Sequence, residues 1–72
     1  MIEIYTKQSC TYCMQAKILL KGLGIEFTES RIGNNITRDE FIEKFPDAKT
    51  VPYILVDGKP IGGYEQLKKL YA

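Results

Sequence analysis

Two cysteines, Cys10 and Cys13, flank Thr11-Tyr12, and the chain has no others. Two thiols at that spacing can close into a disulfide and reopen, a two-electron exchange. The same spacing is also half of a zinc site. The chain has no histidine, which removes histidine-based triads and histidine metal ligands. Two thiolates alone do not fill a tetrahedral zinc site in a monomer. The bland alternative is that both cysteines simply pack in the core, as free cysteine often does. Their position between a short apolar strand and a helical run, beside polar Ser9 and Thr11, favours the redox reading.

The surrounding elements must hold that pair at the mouth of a helix. Ile2 and Ile4 alternate with Glu3 and Tyr5, which predicts a first strand. From Thr11 to about Lys21 a helix is expected, with Ala16, Leu19, Leu20 and Leu23 on its apolar face and Gly22 and Gly24 at its end. Ile25 to Glu29 alternates again as a second strand, completing a βαβ unit whose crossover should be right-handed. Thr37-Arg38-Asp39-Glu40 reads as a capping box, with Ile36 and Phe41 as its hydrophobic staple. Phe41, Ile42 and Phe45 give this second helix its apolar face, and Pro46 closes it. Val51 to Val56 is a third strand, Asp57-Gly58 a two-residue hairpin turn, and Lys59-Pro60-Ile61 an edge strand. Gly62-Gly63 ends the sheet, and Leu67, Leu70 and Tyr71 mark a last short helix. The expected order is β-α-β-α-β-β-α, an α/β fold with helices on both faces of a four-stranded mixed sheet.

At 72 residues the chain is expected to be one domain, residues 1–72. Hydrophobic residues make up 44%, enough for one compact core. The cysteines are too close in sequence to staple distant parts of the fold. The balance of 10 basic and 9 acidic residues, net +1, gives no argument for nucleic acid or a membrane surface. No run is long enough to span a bilayer, and no signal-peptide pattern is visible. A cytoplasmic monomer is the expectation, in a compartment that keeps a cycling dithiol reduced.

At the mouth of a helix, unpaired backbone N–H groups and the helix dipole favour a thiolate. Cys10 is therefore expected exposed and nucleophilic, and Cys13, one turn in, more buried and resolving. Lys7 and Lys17 are expected to add positive potential. Thr50-Val51-Pro52 is the second decisive segment, since a proline opening a strand cannot donate to the ladder.

Taken together, Tyr5-Thr6-Lys7 leading into Cys10-Thr11-Tyr12-Cys13, then Thr50-Val51-Pro52, then Ile61-Gly62-Gly63-Tyr64 resemble the glutaredoxins, of the short two-cysteine type found in bacteria and their phages. The resemblance covers essentially the whole chain. It implies a thioredoxin-like fold with a cis Val51–Pro52 bond facing the cysteines and leaving Val51 backbone groups free for substrate. It implies a thiol–disulfide oxidoreductase, with glutathione as reductant and protein disulfides or glutathionylated proteins as substrates. Lys7 matches the basic residue near the glutathione carboxylate and the nucleophilic sulfur, and Tyr12 the aromatic flanking the bound peptide. Val51, with Thr50 and Pro52 beside it, matches the backbone that pairs with the glutathione cysteine. Gly63 and Tyr64 match the turn at the γ-glutamyl end. Arg38, or Lys49 as its alternative, matches the partner of the glycine carboxylate. Each has a plainer reading: Lys7, Arg38 and Lys49 as solvated charges, Tyr12 as a surface aromatic, Gly62-Gly63 as backbone geometry alone.

Two departures stand out. Thr11 occupies a place where the family commonly has proline, which bears on redox potential. Some members without that proline share an iron–sulfur cluster between protomers, although no resident metal is expected here. Glu65 stands where the family commonly has the aspartate that holds the γ-glutamyl amine. Two other functions compete. An electron donor to ribonucleotide reductase fed by thioredoxin reductase would carry an aromatic-and-arginine stretch after Gly63, which is lacking. A Cu(I)-binding module suits two soft thiolates, but such modules place methionine where Gln8 stands and follow a βαββαβ order. A non-catalytic adaptor would not need both thiols.

Overall fold

The computed structural model describes residues 1–71. Strand β1 is Ile2–Thr6, helix α1 Thr11–Gly22 and strand β2 Phe27–Arg31. Helix α2 is Arg38–Lys44, β3 Tyr53–Val56, β4 Lys59–Gly62 and α3 Tyr64–Tyr71. The element order is the expected one. The strands lie in the order β2-β1-β3-β4, with β1 parallel to β2 and the other pairs antiparallel. The sheet is therefore mixed, and Pro60 sits on an edge strand, where a missing N–H costs no central ladder bond.

Boundaries differ from the sequence reading at both ends of β2, which runs to Arg31 rather than Glu29, and at the start of β3. Helix α1 ends in a Schellman motif: Gly24, at φ +71°, donates to Lys21 O and Ile25 donates to Leu20 O. Leu23 becomes the helix cap and is exposed rather than part of the apolar face. The Ile25 N–H is spent on the helix, so pairing starts later, with Phe27 opposite Ile2. At the other site Pro52 has no N–H to give, and ladder pairing begins at Tyr53, opposite Tyr5.

The helix caps follow the local sequence. Thr37 Oγ1 accepts from the Glu40 N–H at 3.0 Å, and the Glu40 carboxylate accepts from the Thr37 N–H at 3.1 Å. Those bonds hold the Glu40 carboxyl below its ordinary value. Asp57 and Gly58 both have positive φ, the conformation a two-residue I′ turn requires.

Alternation in β1 and β3 divides the core. Ile2, Ile4 and Ile54 face Ala16, Leu20 and Leu67 of α1 and α3. Tyr5 and Leu55 face Phe41 of α2, with Ile36, Phe45 and Tyr53 packed around it. Register then gathers one edge of the sheet. The end of β1, the end of β2 and the start of β3 lie together, since Thr6 pairs with Arg31 and Tyr5 with Tyr53. The end of β4 is alongside, Gly62 pairing with Ile54.

Candidate active site

Cys10 is the N-cap residue of α1. Its backbone is extended, at φ −109° and ψ 107°, and its Sγ accepts from the Cys13 N–H at 3.2 Å. The residue before it, Ser9, has φ 59°, so the chain turns sharply into the helix. A disulfide joins Cys10 to Cys13, with a Cα–Cα distance of 5.2 Å. The two sulfurs differ in access. Cys10 is partly exposed, whereas Cys13, turned toward the layer of Ala16 and Leu20, is 2% exposed.

The Val51–Pro52 bond is cis, as the resemblance implied. Val51 O lies 3.8 Å from Cys10 Sγ, which brings the loop before β3 against the cysteine pair. From there two hollows diverge and share Thr50 and Val51 as their common wall. One, of about 440 Å³, runs from Tyr12 across Pro52 to Gly63, Tyr64 and Glu65. The Tyr12 and Tyr64 rings stand 6.0 Å apart across it. The other, of about 250 Å³, is lined by Lys7, Arg38 and Lys49 over an apolar floor that includes Phe41. Every groove residue singled out in the sequence lines one of these two hollows, and Arg38 and Lys49 share one rather than excluding each other.

Gly63 explains how the first hollow keeps its shape. A Cβ there would stand 3.3 Å from Pro52 O, so the two loops touch through bare backbone. Gly63 also caps α3: its O accepts from Leu67 N–H, and its N–H donates to Gln66 Oε1 at 3.0 Å. Gln66 was not singled out in the sequence. The signal was present, because a glutamine three residues past a cap is half of a capping box.

On the other side of the cysteines the expectation for Lys17 needs correction. Its ammonium does not stand as a free charge by Cys10; it donates to Glu29 Oε2 at 3.0 Å. Thr6, itself 1% exposed, donates to the same oxygen at 2.7 Å. Burial alone would raise the Glu29 carboxyl, but the bonds from Thr6 and Lys17 and the charges of Lys17 and Arg31 outweigh it and hold it low. Thr6 and Glu29 escaped the sequence reading because only strand register brings them together. Among the described residues no cluster of three or more histidine, cysteine or carboxylate side chains could hold a metal ion.

Comparison with known proteins agrees with this geometry. Residues 2–61 match the family model described as Glutaredoxin. Glutaredoxin 3 of Escherichia coli (strain K12) is 42% identical over 71 residues, covering 99% of this chain and 86% of that protein. Glutaredoxin 1 of Rickettsia conorii is 39% identical over 69 residues, covering 92% of this chain and 67% of its own. Among solved structures, glutaredoxin 1 from Francisella tularensis, in complex with cacodylate, superposes with TM-score 0.79 at 28% identity, covering 97% of this chain and 90% of that one. A glutaredoxin from Brucella melitensis reaches TM-score 0.78 at 32% identity over 97% of this chain and 76% of its own. With its redox-active cysteine pair on a thioredoxin-like frame, the chain belongs to the glutaredoxin family of thiol–disulfide oxidoreductases.

Proposed function

We propose that glutathione is the direct reductant of this chain, that Cys10 is the nucleophile and that Cys13 resolves. The observation that carries this is the asymmetry of the pair. Cys10 is partly exposed where the two hollows meet, and Cys13 is 2% exposed behind it. In the reduced protein the Cys13 N–H and the helix N-terminus favour a thiolate on Cys10.

With a glutathionylated protein, the Cys10 thiolate attacks the glutathione sulfur. A Cys10–glutathione disulfide forms, the bond to the protein sulfur breaks, and that sulfur leaves as a thiolate and takes a proton from water. A second glutathione thiolate then attacks the bound glutathione sulfur, releasing oxidised glutathione and restoring the Cys10 thiolate. With a protein disulfide, Cys10 forms a mixed disulfide with one substrate sulfur and the other leaves. Cys13, as thiolate, then attacks Cys10, releasing the second substrate sulfur and closing the Cys10–Cys13 bond. Two glutathiones reopen it. Two electrons pass to the substrate in each route.

The groove residues have matching tasks. Val51 offers backbone groups to the glutathione cysteine, between Thr50 and Pro52. Lys7, Arg38 and Lys49 meet the glycine carboxylate. Gly63, Tyr64 and Glu65 meet the γ-glutamyl end, and Tyr12 covers the peptide. The reading includes residues 1–72 as one domain acting as a cytoplasmic monomer, with ribonucleotide reductase among its candidate substrates.

The test couples NADPH oxidation to glutathione and glutathione reductase, with a small glutathione mixed disulfide as substrate. Turnover that is lost in Cys10→Ser and retained in Cys13→Ser supports the assignment. No turnover by the intact reduced protein, or faster alkylation of Cys13 than of Cys10, overturns it.

A further inference from the structure

The two hollows beside Val51 leave one side of the cysteine pair unused. There a third hollow, of about 360 Å³, contains both cysteines and is bordered by Lys7, Met14, Lys17 and Arg31. It lies on the β2 side, because Arg31 ends β2 opposite Thr6. We propose that this surface docks the protein half of the substrate, and that it selects proteins with acidic residues next to the target cysteine.

Charge is the first argument. No carboxylate borders the hollow, although the chain as a whole is nearly neutral at +1. Among the described residues the ion pairs are the Met1 ammonium with Asp57, Lys17 with Glu29, and Lys68 with Glu65. Lys7 and Arg31 are in none of them. Three cations, Lys7, Lys17 and Arg31, border the hollow, and the nearby Glu29 carboxylate, paired with Lys17 and also within the field of Arg31, offsets only one of them, so net positive charge is left beside the sulfurs.

The second argument is anchoring. Arg31 is held by its backbone: its N–H donates to Asn35 Oδ1 at 3.0 Å, and its O accepts from Asn34 N–H at 3.1 Å and Asn35 N–H at 2.9 Å. Its side chain is exposed and makes no hydrogen bond among the described residues, ready for a carboxylate. The third is apolar contact. Met14 is 61% exposed at the hollow's border, and Ile18, one turn on, is 62% exposed. A flexible thioether suits partners of varied shape.

The inference rests on the oxidoreductase reading but not on glutathione, and the test separates the two. Pre-reduced protein is mixed, without glutathione, with disulfide peptides that differ only in flanking Asp or flanking Lys. Single-turnover rates are read at low and high salt. The Asp-flanked peptide should react about fivefold faster at low salt, with the difference shrinking at high salt. Arg31→Glu should erase or invert the preference, and Arg31→Gln should halve it or more. Both variants should keep turnover of a small glutathione mixed disulfide within about twofold of the parent. Equal rates for the two peptides, or a preference that survives Arg31→Glu, overturn the proposal. Loss of small-disulfide turnover in Arg31→Gln also overturns it, by placing Arg31 in glutathione binding. Peptide selection without glutathione turnover would instead sink the glutathione reading and leave the docking surface standing.

Discussion

Against α1 and α3 the sheet packs Ile2, Ile4 and Ile54 on Ala16, Leu20 and Leu67, all 4% exposed or less. Against α2 it packs Tyr5 and Leu55 on Phe41, while Phe45, Val51 and Tyr53 around them are only partly covered. Helix α1 buries three residues and α2 buries one. The aliphatic face carries the cysteines, through Cys13, Ala16 and Leu20 on one helix. The aromatic face carries Arg38, Lys49 and Thr50, which line one of the two hollows. The proposed nucleophile is thus set on the closely packed side, and the Arg38–Lys49 half of the proposed groove is set on the looser one. Local stability follows coverage of this kind. Native-state hydrogen exchange should show Ala16 to Leu20 opening only with global unfolding, and α2 opening before it.

Leu20→Ala should break the aliphatic face most severely. It deletes a fully buried side chain and should cost about 2–4 kcal/mol in denaturant unfolding. That is a large fraction of the stability of a small domain. A loss under 1 kcal/mol would mean that this face relaxes as readily as the other. Phe41→Leu should cost about 1 kcal/mol, because it keeps much of the volume on a face that can readjust. It should also raise KM for glutathione while leaving Cys10 alkylation unchanged.

Thr37→Ala removes a cap bond from α2 and should cost about 1 kcal/mol. Since Arg38 is the first residue of that helix, the change should appear in KM for glutathione before kcat. The smallest effect expected is from Glu29→Gln, about 0.5 kcal/mol for a mostly surface pair. The Glu29 carboxyl is held below its ordinary value of 4.5, so its stabilisation is full above that pH. It is lost as pH falls through the lowered value. Parent and variant should therefore differ at neutral pH and converge in acid. A gap that persists in acid would assign the effect to packing instead.

What could be read from sequence was what neighbours in the chain decide. The cysteine pair, the Thr37–Glu40 box and the Asp57-Gly58 turn all depend on residues within four positions, whereas the strand expected from Val51 starts pairing only at Tyr53. The cis proline and the groove residues needed a family resemblance, because the two hollows join loops far apart in sequence. Arg31, Thr6 and Glu29 were missed for a physical reason: they meet only once β1 and β2 pair in one register. That register in turn depends on the Schellman end of α1, which delays the strand to Phe27. Lys17 looked like a free charge because its partner lies on another element.

One consequence follows from Cys10 being both the proposed nucleophile and the N-cap of α1. Serine, threonine, aspartate and asparagine are better helix caps than most residues. Several single changes that silence the chemistry therefore leave the helix start intact or strengthen it. Cellular quality control removes proteins according to how much of the chain is unfolded, not whether it works. A Cys10→Ser chain should accumulate at normal abundance, inert but folded. A defect here would be invisible to any assay of protein level and would show only in the oxidation state of the proteins it should have repaired.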